Sequence, residues 1–124
     1  MKIAITTHGQ DKDAPVDTRF GRAEYFLIHD TATDSWECHP NHQSLTAAHG
    51  AGIQAAQNVI ELGAELLITG HVGPKAFKVL NAGGMEIYSV GEAAENLHAD
   101  EIPGLFADGK LAKISVPNSI DMKR

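Results

Sequence analysis

The sequence predicts an α/β fold built on a mixed β-sheet, and three observations carry that expectation. Three strand-like runs crowd into the first 40 residues, too close together to be separated by helices. From about residue 50 the apolar spacing changes from the two-residue period of strands to the 3.6-residue period of helices. Helical stretches then alternate with short apolar runs, as expected for parallel strands joined by crossovers.

Lys2–Thr7 (Lys-Ile-Ala-Ile-Thr-Thr) reads as a buried first strand. Residues 8–23, polar and rich in Gly, Pro and Asp, read as a long loop. Glu24–Asp30 is a second strand with apolar groups on both faces, and Asp30–Asp34 has turn chemistry. Ser35–Pro40 returns as a third strand, with Trp36 and Cys38 on one face and Glu37 and His39 on the other. From Gly50 a helix shows the stripe Ile53, Ala56 and Ile60, flanked by Ala55, Val59 and Leu62, and Gly63 stands where a helix-ending glycine belongs. Glu65–Thr69 is a short buried strand. Pro74 suits the first position of a second helix carrying Ala76, Phe77, Val79 and Leu80, closed by Gly83-Gly84. Met85–Val90 is a fifth strand. In the tail, Glu92–His98 reads as helical, Ile102–Ala107 as a turn of helix and Leu111–Val116 as an optional edge strand.

Strands one to three are expected to form an antiparallel meander, and the two later strands to join in parallel through right-handed crossovers. A five-stranded sheet of order 3-2-1-4-5, with the second strand antiparallel, satisfies these rules. A single domain over residues 1–124 is expected, since the chain is long enough for its own core and no linker, repeat or low-complexity tract interrupts it.

Hydrophobic residues make up 43% and charged residues 21%, as in an ordinary water-soluble protein. A formal charge of −6 argues against nucleic acid as a partner, which is bound through concentrated Lys and Arg. No run approaches the roughly 18 apolar residues of a membrane span, so no membrane association is expected. Ile3-Ala4-Ile5 is too short for a signal-peptide core. Cys38 has no second cysteine to pair with, so a reducing cytoplasm is the expected compartment.

The topology places the C-terminal ends of strands one, three, four and five on one edge. That edge receives His8, the Cys38–His42 segment, His49 at the first helix start, His71 after strand four, and the loop carrying Arg19 and Arg22. Open α/β sheets bind ligands there, where connections diverge to opposite faces. Two of the histidines are flanked by glycine, in Ala48-His49-Gly50-Ala51-Gly52 and Gly70-His71-Val72-Gly73-Pro74-Lys75. Each joins a soft-metal ligand to a helix start whose N–H groups attract anions. For each feature a plainer reading stands alongside. The histidines could be a wet rim of polar loops, and Arg19 and Arg22 could pair with Asp11, Asp13 or Asp17 rather than grip an anion. Cys38 could be a small buried hydrophobe, and Gly70 and Gly73 could serve a tight turn with positive φ. No C-x-x-C, H-E-x-x-H or EF-hand pattern is present, and Gly73-Pro74-Lys75 lacks the phosphate-loop spacing.

Three stretches carry a family resemblance: Arg19-Phe20-Gly21-Arg22-Ala23-Glu24-Tyr25-Phe26, then His49-Gly50-Ala51-Gly52-Ile53, then Gly70-His71-Val72-Gly73-Pro74-Lys75-Ala76-Phe77 with Leu80. In order and spacing they resemble the dinitrogenase iron–molybdenum cofactor biosynthesis family, in its small stand-alone branch that includes the orange protein of sulfate reducers. The resemblance runs from strand one to about residue 97, and the stretch Ala99–Gly104 departs from it. It implies a ribonuclease H-like three-layer fold and a molybdenum-containing or iron–sulfur-type cluster as ligand, with copper as a further candidate metal. It also implies that Arg19, Arg22, His49, Gly50, Gly52, Gly70, His71 and Gly73 surround that cluster; with the residues that the topology brings to the same edge, His8, His49, His71 and Cys38 are the candidate metal ligands.

The leading expectation is therefore a non-catalytic carrier or scaffold for an anionic metal–sulfur cluster, whose partners are the cluster and its donor or acceptor proteins. Monomer or weak oligomer is the expected state. A regulatory or protein-interaction module without a cluster is the alternative. A divalent-metal nuclease is disfavoured, because strand one (Ile3-Ala4-Ile5-Thr6-Thr7) holds no carboxylate for a two-metal site.

Overall fold

The structure, a computed structural model, describes residues 1–41, 51–91 and 96–117. Its strands are β1 (Lys2–Thr7), β2 (Tyr25–Asp30), β3 (Ser35–Pro40), β4 (Leu66–Thr69), β5 (Glu86–Ser89) and β6 (Ala112–Lys113), and its helices α1 (Ala51–Glu61), α2 (Pro74–Ala82) and α3 (Ile102–Ala107). The six strands form one mixed sheet of order β3-β2-β1-β4-β5-β6. The expected order 3-2-1-4-5 is present within it, but the sheet is six-stranded rather than five. The optional tail strand contracts to two residues, which pair antiparallel with Tyr88 and Ser89 of β5.

Alternation along the strands divides the core. Ala4, Phe26, Ile28, Leu67 and Ile87 pack against Ala55, Ala56 and Val59 of α1 and Ala76 and Leu80 of α2. On the other face Ile3, Ile5, Leu27, Leu66 and Ile68 meet Ile102, Leu105 and Phe106 of α3. Both faces of β1 are thus covered, which is why Ile3, Ala4 and Ile5 are apolar without alternation. β3 is mostly exposed by contrast, as suits an outer strand, and its Trp36 ring lies 4.4 Å from the His29 ring.

The helix boundaries follow the expected chemistry. Gly63, two residues past α1, adopts φ 81°, and Gly84, two past α2, adopts φ 79°, so both ends use glycine in the left-handed region. Pro74 opens α2 behind Gly73.

Residues 8–23 connect β1 to β2 as the expected long loop, pinned by isolated bridges and the Phe20–Arg22 turn, whereas the helix expected over 92–98 does not extend through Leu97 and His98. Residues 92–95 lie outside the described residues, but His98 is extended and bridges Pro15 in antiparallel fashion. Val16 N–H donates to Leu97 O at 3.0 Å and Ala99 N–H to Ala14 O at 2.9 Å. The two segments satisfy each other's backbone groups across the sheet edge, a pairing no local pattern announces.

Candidate functional site

The site is built where the chain leaves β1. His8 N–H donates to Pro15 O at 3.0 Å and Asp17 N–H to Thr6 O at 2.8 Å, so residues 15–17 run back along the end of β1. The segment then crosses to β4. His71 N–H donates to Thr18 O at 2.7 Å, Phe20 N–H donates to His71 O at 3.3 Å, and Arg19 bridges His71 in parallel. Beneath this crossing, Thr6 Oγ1 donates to Asp17 O at 2.6 Å and lies 2.7 Å from Thr69 Oγ1, so the two strand-end hydroxyls tie β1 and β4 to the segment above. Phe20 follows in a 3₁₀ turn (Phe20–Arg22) and fills the core beneath α1 and α2.

Gly70 makes the crossing possible. A Cβ at this position would stand 2.5 Å from Thr18 Cβ and 2.6 Å from Thr18 O. Positive φ does not explain Gly70 and Gly73: among the described residues the positive-φ glycines are Gly63, Gly84, Gly91 and Gly109, and Gly73 has φ −75°. Gly70 is required by close backbone approach, and Gly73 caps α2 without a side chain over the helix start. Gly52, in the first turn of α1, lies so close to α2 that an added Cβ would meet Ala76 Cβ at 3.3 Å. The two helix starts therefore adjoin.

Asp17 is the electrostatic centre. Its side chain is only 1% exposed, yet it accepts from Arg19 N–H at 2.9 Å, Arg19 Nε at 3.1 Å and Arg19 Nη2 at 3.2 Å. His8 Nδ1 faces Asp17 Oδ2 at 3.5 Å. These hydrogen bonds to Asp17, and then its charge, push the Arg19 guanidinium pKa up. Of the two readings of the arginines, pairing with an acid is the one found for Arg19, and the acid is Asp17. Arg22 is exposed and makes no ion pair among the described residues. His8, Pro15, Val16, Asp17, Thr18 and Arg19 line an open pocket of about 380 Å³. That is the lower range of small-ligand sites.

The structure thus brings His8, Arg19, Gly70 and the backbone of His71 together, with Arg22 at the far end of the same turn. His49 and Gly50 lie outside the described residues. Cys38 lies on β3, two strands from β1 and so about 10 Å away across the sheet. It is exposed rather than the small buried residue its alternation with Trp36 suggested. Partial burial of the thiol, and then the negative charge of Asp11, push its pKa up. Among the described residues no group of three or more His, Cys, Asp or Glu converges as a metal centre, and no helix is long and apolar enough to cross a membrane.

Thr6 and Thr69 were not singled out from the sequence, and Asp17 was named there only as one of three possible partners of the arginines. Threonines at the ends of two strands expected to be neighbours were the available signal for the hydroxyl pair. For Asp17 the signal was an acid two residues before an arginine, on a loop expected to leave the binding edge.

A family model described as dinitrogenase iron-molybdenum cofactor matches residues 1–100. An uncharacterized protein of Methanocaldococcus jannaschii is 29% identical over 120 residues, covering 91% of each chain. The apo form of the orange protein from Desulfovibrio gigas superposes with a TM-score of 0.87 at 42% identity, over 95% of this chain and 96% of that one. A putative NifB protein from Thermotoga superposes with a TM-score of 0.78 at 32% identity, over 95% of this chain and 97% of that one. The chain belongs to the dinitrogenase iron–molybdenum cofactor family.

Proposed function

We propose that this protein binds and carries, or helps assemble, an anionic metal–sulfur cluster of the molybdenum, iron or copper type, without catalysing a reaction on it. One observation carries the reading: the parallel bridge between Arg19 and His71 draws the Arg19–Arg22 turn onto the end of β4, beside His8 and against α1. Histidine nitrogens there suit soft metals, and Arg22 with the N–H groups of the helix starts suits bridging and terminal sulfides. Arg19, already neutralised by Asp17, contributes directed N–H donors more than net charge. Membership in the family and likeness to the orange protein support this cargo class. The ribonuclease H-like scaffold implied by the sequence resemblance acts in this reading as a support, since β1 offers no carboxylate to hold a catalytic divalent metal.

Reconstitution with tetrathiomolybdate and copper, followed by visible absorption, tests the proposal. Wild-type protein is expected to retain a coloured cluster through gel filtration, and a His49→Ala/His71→Ala variant to retain much less. A colourless wild type, or equal retention in the variant, overturns it.

A further inference from the structure

Asp17 has a role beyond holding Arg19, one that rests on the carrier reading and deepens it. A buried carboxylate accepts hydrogen bonds and donates none. Asp17 Oδ1 is taken by the backbone N–H and Nε of Arg19 and Oδ2 by Nη2, and the remaining face of Oδ2 looks at His8 Nδ1 across 3.5 Å. A neutral imidazole beside such an acceptor carries its proton on Nδ1, which leaves the lone pair on Nε2. The His8 side chain is 46% exposed and lines the pocket, so the nitrogen remote from Asp17 has room for a ligand. Arg19 matters here too. By neutralising the carboxylate it lets Asp17 orient the ring without adding a net negative charge that would repel an anionic cargo.

We propose that Asp17 is a positioning residue: it fixes His8 as the Nδ1–H tautomer and so presents the Nε2 lone pair to a soft metal ion of the cargo. Metal-binding histidines are commonly oriented this way by a carboxylate on their second nitrogen. The arrangement also requires that Asp17 itself never touch the metal, which agrees with its burial beneath Arg19.

Two measurements test this. The first uses cargo-free protein labelled with ¹⁵N-histidine at about pH 8, where two-bond proton–nitrogen spectra distinguish the tautomers. His8 is expected as Nδ1–H in the wild type. In Asp17→Asn it should invert to Nε2–H, because Arg19 claims the amide oxygen and turns the NH₂ toward the ring. An Nε2–H tautomer in the wild type overturns the proposal without any variant having to fold. The second uses Cu(I) alone, in competition with a chromogenic chelator. Asp17→Asn should weaken binding by about 10- to 100-fold, and should weaken it no further in a His8→Ala background. Unchanged affinity in Asp17→Asn, or an added loss in the His8→Ala background, overturns the positioning role while leaving the carrier reading intact. Wild-type protein that takes up neither Cu(I) nor the thiomolybdate–copper cluster overturns the carrier reading itself.

Discussion

Replacing Gly70 by alanine should dismantle the crossing that forms the site. The new Cβ would lie 2.5 Å from Thr18 Cβ, 2.6 Å from Thr18 O and 2.7 Å from Thr18 Cα, and two of these are backbone atoms that no rotamer change can move. The Thr18 segment must withdraw from β4. That breaks the hydrogen bonds His71 N–H to Thr18 O and Phe20 N–H to His71 O, a loss of about 2 kcal/mol at roughly 1 kcal/mol each. Phe20 is 1% exposed and directly follows the displaced residues, so partial withdrawal of its ring adds up to about 2–3 kcal/mol. The total of about 2–5 kcal/mol should lower Tm by roughly 10 °C or more for a chain of this size. Circular dichroism during thermal and urea unfolding measures it, with an unchanged m-value locating the effect in the folded state. Gly104→Ala is the control. It lies within α3 with nothing within 4 Å of its added Cβ, so it should gain about 0.5–1 kcal/mol. A Gly70→Ala protein melting within about 2 °C of wild type would refute the claim that close approach of Thr18 explains this glycine.

Arg19→Ala should cost about 1–3 kcal/mol by stripping charged hydrogen bonds from a buried carboxylate, whereas Arg22→Ala should stay within about 0.5 kcal/mol. In cluster retention Arg22→Ala should lose the greater part of the salt dependence, read from gel filtration at increasing ionic strength; the reverse ranking of stabilities would contradict the pairing described. Cys38 should alkylate slowly at neutral pH despite its exposure. Its pKa is raised by partial burial and by Asp11, so the folded state favours the protonated thiol. Any stability gained is complete below the unfolded pKa and is lost as pH rises through the folded one. The pH–rate profile for iodoacetamide should therefore be displaced upward from that of the urea-unfolded chain, and a coincident profile would disprove it. Asn41→Ala should destabilise by about 1–3 kcal/mol, since the buried amide donates to Ala23 O at 2.9 Å and accepts from Asn58 Nδ2 at 3.1 Å, tying the end of β3 to α1. Denaturant unfolding measures it, and a neutral result would mean these hydrogen bonds contribute nothing net.

What the sequence made legible was local. β1 and β3 fall at their expected limits because alternation and turn residues define them without reference to distant parts of the chain. The order β3-β2-β1-β4-β5 was one that chain connectivity and crossover handedness allow without forcing it. The extent of elements that depend on partners far away in sequence was less legible: the edge strand expected over Leu111–Val116 is present but shortened to β6, and the helix expected over Glu92–His98 gives way to extended chain at His98. β6 is a strand only because Tyr88 and Ser89 offer it an edge, and His98 is extended only because Pro15 does. The same limit governs the site. The edge and the Arg19–Arg22 turn could be placed from topology, and Gly70 stood out as small. That Thr18 is the reason for Gly70, and that Asp17 rather than Asp11 or Asp13 binds Arg19, depends on the course of a segment whose anchors lie on β1, β4 and the 97–100 stretch.

The segment between His8 and Arg22 straddles the sheet. Val16 belongs to the core beneath α3, and Phe20 to the core beneath α1 and α2. Lifting it would open both cores at once, so it cannot swing as a hinged flap at low free energy. The amide protons of Val16, Asp17 and Phe20 should exchange through events close in energy to global unfolding, and under the proposed function cargo would enter a cradle that exists beforehand. On the carrier reading proposed above, this segment offers no door to open at the moment of delivery. Release then falls to the acceptor, which has to compete for the metal directly, and the rate of transfer should rise with acceptor concentration rather than saturate at an opening rate.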